Sequence, residues 1–141
     1  MFNFYNANVG TDQSLITDFQ PVPAGYYVTF DEAYAPYSPS FGPDTLIVQS
    51  STNGGTSYST LATLLGKADG SGELNTAPAT TLSFVPANNQ WASKIYNLPL
   101  GTNRIRMRAI SGFGNNLYLD NICIKALPNA CLLYTSPSPR D

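Results

Sequence analysis

The chain has 141 residues, 43% of them hydrophobic and only 11% charged, with a formal net charge of −2. That length suits one domain with a closed apolar core. Seven Lys and Arg against nine Asp and Glu give no basic excess to displace phosphate counterions, which excludes nucleic-acid binding, and no apolar run approaches the roughly 20 residues of a membrane-spanning helix.

In chain order, Phe2–Tyr5 reads as a short strand and Ser14–Phe19 as a second, ended by Pro21 and Pro23. Gly25–Ala35 is a long strand on which Tyr26, Val28, Phe30 and Tyr34 share one face by period two. Three prolines between Tyr34 and Pro43 cannot sit in a ladder, so that stretch is a loop. Asp44–Ser50 and Ser57–Leu64 form a hairpin across the Asn53-Gly54-Gly55 turn, whose positive φ angles suit those residues. Gly66–Asn89 is long, rich in Gly, Ala and Thr, and weakly periodic; loops of this length are functional or mobile in most compact domains. Thr80–Val85 within it is a candidate strand. Trp91–Leu98, Thr102–Ile110 and Leu117–Lys125 complete the set. Nine Tyr, seven Phe and eleven each of Gly and Pro suit pleated strands joined by frequent turns. Seven to nine strands with no helical stripe predict an all-β fold, a two-sheet antiparallel β-sandwich.

Four stretches carry a family resemblance. They are Phe30-Asp31-Glu32-Ala33-Tyr34-Ala35, then Asp44-Thr45-Leu46-Ile47-Val48 through Ser57-Tyr58, then Gln90-Trp91, and last Gly114-Asn115-Asn116-Leu117-Tyr118-Leu119-Asp120-Asn121-Ile122. In that order they resemble the MAM-like, galactose-binding-like jelly-roll domains of large surface proteins exported by the bacterial type IX secretion system. The resemblance covers most of residues 1–126. It implies a jelly-roll sandwich, a location outside the cell or on its outer surface, and a module for adhesion or glycan binding. The alternative it implies is a spacer beside peptidase, glycosidase or adhesin domains of the same parent chain. It also implies sequence before Met1. Phe2-Asn3-Phe4-Tyr5 follows Met1 with no basic signal-peptide region, so an internal methionine is expected there.

The end of the chain differs in style. Cys131-Leu132-Leu133-Tyr134-Thr135-Ser136-Pro137-Ser138-Pro139-Arg140-Asp141 resembles the translation of an adapter used in transposon-based sequencing libraries. The expected domain is therefore residues 1–130, with 131–141 a non-native tail. Cys123 is then the one native cysteine, and a Cys123–Cys131 disulfide is not expected.

Candidate ligand-binding residues are the aromatics placed in loops, Tyr37 and Phe41 in the Pro-rich loop and Phe113 in the Gly112–Asn116 turn, because rings stack on the apolar faces of sugars. Asn115 and Asn116 offer sugar hydrogen bonds and are equally good turn formers. Trp91, a single Trp on a strand, is expected to pack inside. Asp120 shares a face with Tyr118, Ile122 and Ile124, so its carboxylate is expected at the core or its rim, where an unpaired charge is costly. It either joins a structural calcium site, with Asp31 if their strands pair, or pins the Gly112–Asn116 turn through backbone N–H groups. Leu117 and Leu119 on the opposite face leave that orientation open. Asp31 and Glu32 face opposite sides of their strand, predicting one solvated carboxylate and one salt bridge. Asp69-Gly70-Ser71-Gly72-Glu73 lacks the alternating acids of an EF-hand and reads as a turn. Ser51–Tyr58 resembles a loose Asp-box hairpin, S-x-D-x-G-x-T-W, with Asn53 for Asp, Ser57 for Thr and Tyr58 for Trp. Arg104, Arg106 and Arg108 alternate with Ile105, Met107 and Ala109, an exposed stripe over a core face, with Asp120 or Asp31 as candidate partners. The absence of histidine removes Ser-His-Asp and Cys-His nucleophiles and ordinary His-ligated zinc. The expectation is a non-catalytic module whose partners are glycans or surface proteins.

Overall fold

The computed structural model describes residues 1–37 and 43–126. Phe41, Cys131 and the 131–141 tail lie outside the described residues. Seven strands follow one another: β1 (Asp12–Asp18), β2 (Tyr26–Tyr34), β3 (Asp44–Ser51), β4 (Ser59–Gly66), β5 (Ala92–Asn97), β6 (Arg104–Ile110) and β7 (Leu117–Ala126). They form two antiparallel sheets, β1-β6-β3-β4 and β5-β2-β7. The fold is the all-β sandwich expected. Among the described residues no helix is long and apolar enough to cross a membrane.

The core forms where the period-two apolar faces of both sheets meet. Val28, Phe30 and Tyr34 of β2 pack with Leu46 and Val48 of β3, and with Ile105, Met107 and Ala109 of β6. A smaller cluster lies on the outer face of the three-stranded sheet, where Ala33, Ala35 and Phe84 are buried against Trp91 and Tyr118. Trp91 is thus half-buried beneath a loop and outside the main core.

Three expected elements differ. Phe2–Tyr5 is not a strand: only Phe2 bridges to Leu117, and Phe4–Asn6 is a 3₁₀ turn capped by the Asn3 side chain. That turn buries Phe4 completely. Thr80–Val85 is irregular; its backbone groups bond to asparagine side chains instead of a neighbouring strand. The third difference is on β7. Asn121 adopts φ 51° at a bulge opposite Thr29–Asp31, and the extra residue reverses the alternation. Leu117, Leu119, Ile122 and Ile124 therefore pack on the core, while Asp120 is exposed.

Candidate functional site

Asp44, the first residue of β3, organises one end of the sandwich. It is fully buried, and its carboxylate accepts four hydrogen bonds. Oδ1 accepts from the Gly112 and Gly114 amides at 2.7 and 3.1 Å. Oδ2 accepts from the Asn115 amide at 2.9 Å and from the Tyr34 hydroxyl at 2.7 Å. A carboxylate thus pins the Gly112–Asn116 turn, but it is Asp44 and not Asp120. Loss of hydration raises the Asp44 carboxyl above its ordinary range despite these donors, and burial likewise holds the Tyr34 phenol protonated. Gly114 lies so close that a Cβ there would collide with the Asp44 carboxylate. The sequence signal for this hub was faint: an acidic residue opening an apolar strand, facing a turn with two glycines.

The pinned turn presents Phe113, which is 38% exposed and held at φ 64°, a left-handed conformation that L-residues other than Gly adopt at a cost. Its ring meets Tyr37 edge to face at 6.4 Å. Tyr37 in turn meets Tyr5 at 5.9 Å. Two of the expected ligand-binding aromatics are thus brought together, joined by Tyr5, which sequence reasoning missed because it lay in an expected strand. Tyr5 is fixed by its hydroxyl on the Thr81 carbonyl and by its amide on Asn116 Oδ1. Beside the Thr81 carbonyl, Thr80, Leu82, Ser83 and Val85 line a depression of about 350 Å³.

Asn115 and Asn116 lie beneath this surface, both buried. Asn115 Oδ1 accepts from the Phe84 and Asn116 amides, and its Nδ2 donates to the Thr80 and Leu82 carbonyls, all at 2.9 Å. Asn116 Nδ2 donates to Ser83 Oγ at 3.0 Å. The two side chains sew the 67–91 loop to the turn. Further bonds run from the Thr76 and Ala77 amides to the Tyr34 carbonyl, and from the Tyr118 hydroxyl to the Phe84 carbonyl. Leu74 is buried in the main core and Phe84 in the smaller one. The long loop is a packed strap.

Asp31 and Asp120 are directly opposite one another across β2 and β7, on the outer face of the three-stranded sheet. Asp31 accepts from Ser93 Oγ at 2.6 Å and Asn121 Nδ2 at 2.8 Å. The Ser93 hydroxyl first, then Asn121, holds its carboxyl below the usual range. Asp120 accepts from the Asn121 amide at 2.8 Å. Among the described residues no three or more His, Cys, Asp or Glu side chains gather around a common point. These two carboxylates alone fall short of the six to eight oxygens of a calcium shell.

The arginine stripe lies on the face opposite the core but is only half-exposed, and its partners are on its own sheet. Arg104 pairs with Asp18, Arg108 with Asp12 at 2.6 Å, and Arg106 bonds to Gln49 at 2.8 Å and lies 3.8 Å over the Tyr58 ring. Asp31 and Asp120 are on the other sheet. Asn53 ties the β3–β4 turn together: its Oδ1 accepts from Ser51 Oγ and the Ser57 amide at 2.8 and 3.0 Å. Asp69 likewise closes its turn on Ser71.

Glu32 is the outlier in chemistry. It faces the interior beside Phe30 and Tyr34, is fully buried, and neither carboxyl oxygen has a hydrogen-bond partner. Lys94 Nζ stands 3.7 Å away and donates to the Glu73 carbonyl at 2.9 Å. Burial pushes the Glu32 carboxyl up to about 8, with Lys94 opposing. Of the expected solvated and salt-bridged members of the Asp31–Glu32 pair, Glu32 is the one that stands beside a cation, but burial favours its protonated form over an ion pair.

No family model, curated protein or solved structure matches the chain.

Proposed function

We propose that this domain is a non-catalytic binding module of a larger secreted protein, acting outside the cell, and that it takes glycan or cell-surface ligands at the Tyr5–Tyr37–Phe113 end. One observation carries the reading. Three rings meet in edge-to-face contacts, and the Phe113 ring among them stands on a turn that Asp44 anchors from below with three backbone hydrogen bonds. A half-exposed aromatic ring on a fixed mount suits pyranose faces, which bind rings by apolar contact, and a preorganised mount lowers the ordering cost of binding. The left-handed Phe113 supports it too, since strained backbone positions held by their surroundings cluster at ligand sites.

The saturation of Asn115 and Asn116 within the chain favours a second reading, a structural spacer beside other domains. Thermal unfolding against a panel of soluble polysaccharides separates the two. A ligand that binds only the folded state raises the midpoint by mass action. The expected result is a rise with one glycan class that Tyr37→Ala and Phe113→Ala both abolish. A flat panel from a cooperatively melting protein leaves the spacer.

A further inference from the structure

The ladders of this sandwich nest. β3 pairs with β4 at the centre, β2 with β5 around it, and β1 with β6 around that. Each step outward joins one earlier strand to one later strand. The next step joins β7 to whatever precedes β1. One residue in the described chain takes that place. The Phe2 amide donates to the Leu117 carbonyl at 2.7 Å, and the Leu117 amide to the Phe2 carbonyl at 3.0 Å, an antiparallel rung on the edge of β7 away from β2.

Direction then decides what lies beyond that rung. Antiparallel pairing at Phe2–Leu117 means that chain on the N-terminal side of Phe2 runs along β7 toward Ala126. Chain on the C-terminal side turns away into the Phe4–Asn6 turn. Beside this open edge is an apolar groove of about 220 Å³, lined by Leu15 and Thr17 of β1, Ile105 and Met107 of β6, and Ile122 and Ile124 of β7. It marks the seam between the edge strands of the two sheets. Leu15 is 46% exposed there. An open edge beside exposed apolar side chains is the arrangement that native sheets cover.

We infer that an eighth strand, supplied by polypeptide N-terminal to Phe2, pairs antiparallel with β7 and seats alternate apolar side chains in this groove. The short sheet becomes four-stranded, with the new strand outside β7. Two four-stranded sheets with nested pairing are the full eight-stranded jelly roll. Period-two alternation assigns one set of side chains on the added strand to the groove and the other to solvent.

The test adds extensions of about eight residues, enough to reach opposite Ala126, to the N-terminus of the full chain. Two alternate Val and Thr in opposite phase, and a third is Gly-Ser. One Val/Thr phase is expected to raise the thermal midpoint by about 5 °C over Gly-Ser, and to slow exchange of the Leu119 amide about tenfold. The other phase gives a smaller gain. Equal midpoints and equal Leu119 exchange for all three extensions would overturn the inference. So would an unextended chain that sediments as a dimer with Leu119 already protected and stays dimeric when extended, since the occupant is then a second copy.

Discussion

Phe113 and Asp44 form a couple in which one residue bears strain and the other holds it. Phe113 sits at φ 64°, where a β-carbon costs about 1–2 kcal/mol relative to glycine. The neighbouring amides of Gly112 and Gly114 are tied to Asp44. Replacing Phe113 by Ala removes the ring and keeps the strain; replacing it by Gly removes both. The Gly variant is expected to be more stable than the Ala variant by about 1 kcal/mol in urea unfolding, while both lose the glycan response equally. The reverse order would mean that the turn's backbone is unstrained. Asp44→Asn keeps the volume but places an amide among four donors. Breaking so buried a carboxylate network is expected to cost about 3–5 kcal/mol in urea unfolding, with the loss concentrated in exchange protection of the turn amides.

Between residue and fold stand the strap and the bulge, and here the sequence was legible only in part. Strands β1 to β7 were readable because apolar alternation and turn residues both mark them, to within about two residues at each end. Asn115 was legible as important but not as buried. An Asn-Asn pair before a strand looks like any polar turn, and nothing local says that Thr80 and Leu82, over thirty residues back, supply its acceptors. Asn115→Ala is expected to cost about 2–4 kcal/mol, since it leaves the Thr80 and Leu82 carbonyls and the Phe84 amide without partners. Its signature is early protease cleavage between residues 76 and 90 while the sheets stay folded. The bulge was invisible for a related reason. One left-handed Asn121 moves Asp120 from the expected core face to solvent, and strict period two has no place for an extra residue. What the bulge creates is a pair of opposed carboxylates, Asp31 and Asp120, which repel. Asp120→Asn is expected to raise the melting midpoint; an unchanged or lowered midpoint would mean that the two carboxylates do not interact.

For the molecule as a whole, the balance of carboxylates sets how stability follows pH, and Glu32 dominates it. Its folded value of about 8 exceeds its ordinary 4.5, so between those values the folded state keeps a proton that the unfolded chain has released. Stability therefore falls as pH rises through that interval and levels off above it. Asp44, also raised by burial, has the same sign. Asp12, lowered chiefly by its hydrogen bond to Arg108, and Asp31, lowered by Ser93 and Asn121, act the other way. Their contribution is lost as pH drops below the ordinary Asp range. Together they place the maximum near pH 4–5, below the roughly pH 5–8 common for globular proteins. Glu32 alone accounts for about 3–5 kcal/mol between pH 4.5 and 8, a large part of the 5–15 kcal/mol that holds a typical domain together. Glu32→Gln keeps the shape and removes the titration. Urea unfolding from pH 4 to 9 is expected to show a steep decline for the native chain and a much flatter one for the variant, the residual slope belonging to Asp44. The two curves should meet near pH 4–5 and diverge above it, with the variant the more stable at pH 8. Parallel curves would mean that Lys94, 3.7 Å away, keeps Glu32 ionised throughout, and that the interior holds a full ion pair.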